Sequence, residues 1–128
     1  MSKFTDDMRT AFGVVNAVEV SKRYDCPVIY YRTKHPHAQG YTDYRSEIVY
    51  PREGEFYRKV FRPRDLYDTP QARRAGFVKT AQDWAAERLG ASEWVASGYL
   101  NTWMPKGAHE RMTAELKAWR KAQKEASK

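Results

Sequence analysis

Arg58, Lys59, Arg62 and Arg64 fall within the eight residues Tyr57–Arg64, interleaved with Tyr57 and Phe61 and with no acid among them. Such cations attract phosphates or carboxylates, and aromatic faces stack on bases or on guanidinium planes. The run lies in a wider stretch, Val28 to Arg64, that holds eight Lys/Arg, eight aromatics and only four acids. The chemistry these residue types support is the binding of an anion. Read as a strand, the run sends Arg58 and Arg62 to one side with Phe56 and Val60. Lys59 goes to the other side with Tyr57 and Phe61. Arg64 and Arg52 continue the ridge. The competing reading is an edge strand whose charge guards it against aggregation.

A second group of cations, Arg73 and Arg74, opens a helix that continues through Lys79. Cations are disfavoured at a helix N-terminus, because its free N–H groups already make that end positive. Adjacent arginines there suit a phosphate cradle, although Asp65 and Asp68 lie just upstream and could pair with them. His35 and His37 could share a metal across one residue, but a third ligand is needed and only the distant His109 remains. No paired general acid and base accompanies them. The expectation is a protein without catalytic residues, metal or cofactor. Trp94, Tyr99 and Trp103 sit in a short segment dense in large apolar groups, which serves either as core filling or as anchors for a protein partner. The tyrosines Tyr30, Tyr31, Tyr41, Tyr44, Tyr50 and Tyr57 read mainly as core or cross-strand pairs.

These groups must be held by a small scaffold. A chain of 128 residues, 41% apolar and 30% charged, suits one soluble domain with a core of its own. The mean hydropathy of −0.85 marks a very polar surface. A net charge of +7 favours anionic partners: nucleic acid, an acidic protein face or an anionic membrane. The lone Cys26 excludes an intrachain disulfide and fits a reducing compartment. No stretch reaches the ~18 apolar residues that a membrane span requires. The first residues, with Asp6 and Asp7, lack the apolar centre of a signal peptide. A cytoplasmic location is the expectation.

Along the chain, Thr5 to Tyr24 reads as one helix, with Met8, Ala11, Phe12, Val15 and Val18 on a stripe. Three strands are expected over Pro27–Lys34, Tyr41–Tyr50 and Glu55–Arg62. In the second, Tyr44, Ser46, Ile48 and Tyr50 share one face, and Asp43, Arg45 and Glu47 share a solvent-facing one. Pro51 to Gly54 reverses the chain. Thr69-Pro70 caps a helix that stops at Gly90. Ser92 would cap a shorter helix over Glu93–Leu100, and a last helix runs from Ala108 to about Ala126. The predicted architecture is α+β, α-β-β-β-α-α-α, with a three-stranded antiparallel sheet carrying helices on one face. It comprises a single domain over 1–128, with a core over 5–89 and a helical extension over 90–128.

Over about Thr5–Leu89 this order resembles the double-stranded RNA-binding domain. The Pro36-His37 pair in the first strand-to-strand loop and the basic start of the following helix add to the likeness. The loop here reads His35-Pro36-His37 where that family has Gly-Pro-x-His, and the helix opens Gln71-Ala72-Arg73-Arg74-Ala75 where the family is lysine-rich. The resemblance implies phosphate contacts from the second helix and minor-groove contacts from the loop and the first helix.

The function expected from the residues is a non-catalytic module that contacts nucleic-acid backbone, DNA or RNA, without sequence preference. Arg52, Arg58, Lys59, Arg62 and Arg64 would supply one ridge, and Arg73, Arg74 and Lys79 a second. The alternative is a small effector of the phage or mobile-element kind. It would inhibit an acidic host protein or nucleoprotein complex, with Trp94, Tyr99 and Trp103 as anchors. Self-association through the C-terminal helices, as in a homodimer, is a third option.

Overall fold

The computed structural model describes residues 3–14, 16–34, 43–62, 69–97 and 101–127. The first helical stretch is two helices, α1 (Lys3–Phe12) and α2 (Ala17–Tyr24), where one continuous helix was expected. Gly13 explains the break. At φ +68° it takes the left-handed conformation that ends a helix, and the N–H groups of Gly13 and Val14 return to the Arg9 and Met8 carbonyls. Asn16 then starts α2 afresh, its side-chain oxygen accepting the Glu19 N–H at 3.0 Å.

Strands β1 (Val28–Lys34), β2 (Asp43–Arg52) and β3 (Glu55–Phe61) form the expected antiparallel meander. Glu53 and Gly54, both at positive φ, make the two-residue turn between β2 and β3. Helix α3 (Pro70–Leu89) has the predicted ends: Thr69 accepts the Ala72 N–H at 3.0 Å, and Gly90 closes the helix at φ +69°.

The chain departs from expectation after Gly90. The helix predicted over Glu93–Leu100 is absent among the described residues of that segment, and β4 (Trp94–Ala96) and β5 (Thr102–Pro105) form an antiparallel hairpin. Trp94 and Val95 are better strand than helix formers, and Asn101, at φ +54°, takes a turn conformation. The hairpin docks β5 on the free side of β1, so the sheet has five strands in the order β3-β2-β1-β5-β4 instead of three. Helix α4 (Lys106–Ala126) follows at once.

The helices also cover both faces of the sheet, where one face was expected to stay open. On one face Ile29 and Ile48 pack with Val78, Ala81 and Ala85 of α3. On the other, Val28, Val49 and Met104 pack with Met8 of α1, Val20 and Tyr24 of α2, and Met112 and Leu116 of α4. Strand alternation assigns each residue to one face, and the predicted alternation of β2 holds for Ser46, Ile48 and Tyr50. On the opposite face Arg45 and Glu47 are not solvent-facing as expected. Glu47 is 1% exposed, although the sequence placed it on the wet side. Among the described residues no helix is long and apolar enough to cross a membrane.

Cys26 is buried beside this second core, and burial pushes its thiol from the ordinary 9.0 up to about 12. A raised folded-state pKa contributes stability that is complete below pH 9 and is lost as pH climbs toward 12. The loss should approach ~1.4 kcal/mol per pH unit across that window. Tyr24 and Tyr30, both raised chiefly by burial, act in the same direction. Urea titrations at pH 8 to 11 should therefore show a shallower alkaline decline for Cys26→Ala than for the parent. Identical slopes would refute the assignment.

Candidate functional site

Strand register builds the strongest constellation of charge. Glu47 stands on β2, the strand between β1 and β3, opposite Tyr30 on one side and Val60 on the other. Residues on the diagonals of such a pair lie within reach of long side chains. Arg32 of β1 and Arg58 of β3 occupy two of those diagonals, and Arg45 precedes Glu47 by two on the same face. Their guanidinium nitrogens lie 3.6 Å (Arg32), 3.4 Å (Arg45) and 3.7 Å (Arg58) from the Glu47 carboxylate. Tyr30 joins them: burial, the Glu47 charge and a hydrogen bond to Glu47 keep its phenol protonated above the ordinary range.

Three guanidinium groups surround one carboxylate. The acid is inside and the donors are outside. Glu47 is buried, whereas the side chains of Arg32 and Arg58 are 48% and 52% exposed. Glu47 Oε2 accepts no hydrogen bond, so the carboxylate attracts the guanidinium groups without consuming their donors there. A guanidinium carries five N–H donors, and in the half-exposed Arg32 and Arg58 those pointing away from Glu47 face the solvent.

These exposed ends line a cleft of about 420 Å³. Arg32, Arg58, Tyr30 and Tyr31 come from the sheet, Thr102 from β5, and Asn16, Ala17 and Val18 from the start of α2. The Asn16 side-chain oxygen accepts the Glu19 N–H, and its amide nitrogen donates to the Glu19 carboxylate. The first N–H groups of a helix have no acceptor within it and make that end positive. Cationic side chains and a helix N-terminus thus converge on one concavity. The Thr102 hydroxyl is engaged with Ser97, which fixes the β5 wall.

The other predicted residues are dispersed. Lys59 projects to the α3 face, its ammonium 5.5 Å from the Phe61 ring centroid and 5.7 Å from that of Trp84. Arg52 is exposed at the end of the β2–β3 hairpin, beside Glu53 and Glu55. Arg62 is exposed just beyond β3. Arg74 donates to the Asn101 side chain at 2.9 Å and lies 4.6 Å over the Trp103 ring, and Lys79 pairs with Asp83 at 3.0 Å. Arg73 is partly buried on α3. Trp94 and Trp103 are half-buried against the α3-side core. Arg64, Tyr99, His35, Pro36 and His37 lie outside the described residues.

Among the described residues, therefore, Arg58 is the one predicted cation that enters the cleft. Sequence reasoning missed Arg32, Arg45, Glu47 and Asn16. Arg45 and Glu47 were on a shared face of β2, and Asn16 with Glu19 three residues later is a readable capping pair. Comparison with family models, with curated proteins and with solved structures finds no match for this chain. The functional reading rests on the geometry.

Proposed function

We propose that this protein is a non-catalytic basic module that binds nucleic acid through its sugar–phosphate backbone, with Arg32 and Arg58 as the central contacts. The observation that carries the reading is the Glu47 cluster: half-exposed guanidinium groups, held from behind by a buried carboxylate, at the mouth of a cleft that α2 also faces. Guanidinium forks match phosphate oxygens in pairs, and ordering them in advance lowers the entropy lost on binding. The net charge of +7 adds long-range attraction.

Backbone binding of this kind releases counterions, so affinity falls linearly with salt on logarithmic axes. Removing one phosphate contact should lower that slope by about one. In fluorescence anisotropy with unrelated DNA and RNA sequences, Arg58→Ala and Arg32→Ala should weaken binding to every sequence and flatten the salt dependence. Lys59→Ala removes the same charge from the opposite face and should change neither by comparable amounts. Equal effects from Arg58 and Lys59 would refute the cleft as the contact point. A stoichiometric protein partner that survives nuclease and ~0.5 M salt would replace this reading with that of a host-protein inhibitor.

A further inference from the structure

We infer that the cleft between α2 and the sheet is a pocket for a terminal phosphomonoester, so that the protein prefers a phosphate-bearing end of a nucleic acid to its interior. The assignment of that phosphate to a nucleic-acid end rests on the proposed function; the pocket itself does not.

Charge supplies the first reason. Arg45 forms the inner pair with Glu47, and the half-exposed Arg32 and Arg58 bring two positive charges to the cleft. An internal phosphodiester carries one negative charge, whereas a phosphomonoester approaches two near neutral pH. A dianion matches both charges, and a diester leaves one of them unmet. Shape supplies the second. Arg32 and Arg58 both line the cleft. Their ends share a concavity whose other wall is the first turn of α2. A terminal phosphate presents three oxygens to such a pocket, and its single ester link leaves by the mouth.

Glu47 supplies the third. A carboxylate in the middle of an anion site lowers its total charge, so its presence needs a reason other than attraction. At 1% exposure, with two half-exposed arginines on opposite strands, it acts as a positioning residue. It draws Arg32 and Arg58 toward a common point from beneath the cleft, separated by the width of the strand between them. The two forks then address one small anion from two sides, the arrangement in which Arg gains most over Lys.

The test uses the full-length protein and three short single-stranded oligonucleotides of one sequence, ending in a 5′-phosphate, a 3′-phosphate or hydroxyls only. Binding is read by anisotropy, and inorganic phosphate and a nucleoside monophosphate are used as competitors. One phosphorylated end should bind at least about 10-fold tighter than the hydroxyl-ended strand. Arg58→Lys and Arg32→Lys, which keep the charge and lose the fork, should erase that preference while the weaker affinity for the hydroxyl-ended strand persists. Glu47→Gln removes a negative charge, so a site governed by charge alone would bind every strand tighter, whereas a positioned pocket loses its end preference. Should that variant fold poorly, the two lysine variants decide. Equal affinity for all three strands, with the arginine dependence intact, overturns the end preference and leaves the backbone reading standing. Stabilisation by phosphate or monophosphate that requires Arg58, without binding of any strand, supports the pocket and overturns its use on nucleic acid. No response to any of these probes overturns the pocket.

Discussion

Glu47→Gln should destabilise the protein by about 2–4 kcal/mol, a large effect for a substitution that preserves shape. Removing one partner of a buried ion pair typically costs 3–5 kcal/mol, because the remaining charge is left in a poor solvent without compensation. Arg45, its side chain 15% exposed and 3.4 Å from Glu47, is the least solvated of the charges that lose this partner. Arg32 and Arg58 are half-exposed and can turn to water, which brings the expected cost below the top of the range. Replacing both members of the inner pair with leucine should restore much of the loss, since a buried pair is often no better than apolar side chains of like volume. Urea unfolding of Glu47→Gln, Arg45→Leu and the Glu47→Leu/Arg45→Leu double variant measures the coupling directly. A loss below ~0.5 kcal/mol for Glu47→Gln, or additive single effects, would show that the cluster is held by something other than this carboxylate.

The same carboxylate shows why the site was only partly legible in the sequence. Arg58 stands out by local charge density, a property of neighbours along the chain. Glu47 does not, because an acid at an alternate position of a half-polar strand looks like any solvent-facing residue. Its burial follows from register: the pairing Tyr30↔Glu47↔Val60 puts Arg32 and Arg58 on its diagonals, and register is set by turns and packing far from Glu47 itself. The local elements with strong punctuation were readable. Glu53-Gly54 gave the hairpin, and Thr69-Pro70 with Gly90 bounded α3. Gly13 and Asn16 were equally good punctuation, but the apolar stripe running through them favoured one long helix. The β4–β5 hairpin was the hardest element. Its strands are three and four residues long, too short for an alternation to declare itself, and β5 gains its place by pairing with β1, about seventy residues earlier in the sequence. That missing hairpin also hid the shape of the cleft, since Thr102 is one of its walls.

The hairpin and α4 bear on a larger expectation, that residues 5–89 form the core and the rest extends it. A chain ending at residue 90 should fail to fold. Met104, Met112 and Leu116 are at most 2% exposed and sit in one cluster with Val28 and Val49 of the central strands. Burying each large apolar side chain contributes about 1.5–3 kcal/mol, so these three supply ~5–9 kcal/mol. Whole domains are stable by only ~5–15 kcal/mol. The truncation would also strip β5 from β1, leaving a central strand with an unpaired side, and would uncover the face on which α1 and α2 rest against α4. Charged contacts that pin those helices would go as well: Arg23 and Tyr24 of α2 hold Glu115 of α4, and Arg120 holds Asp7 of α1 at 2.7 Å. Circular dichroism and urea titration of the 1–90 chain should therefore show no cooperative transition, and the protein should bind hydrophobic dyes or aggregate. A sigmoidal transition with dispersed amide resonances would mean that the first ninety residues carry a self-sufficient core. In that case α4 and the hairpin are an addition to the fold, and the α2–sheet cleft must be intact without its β5 wall.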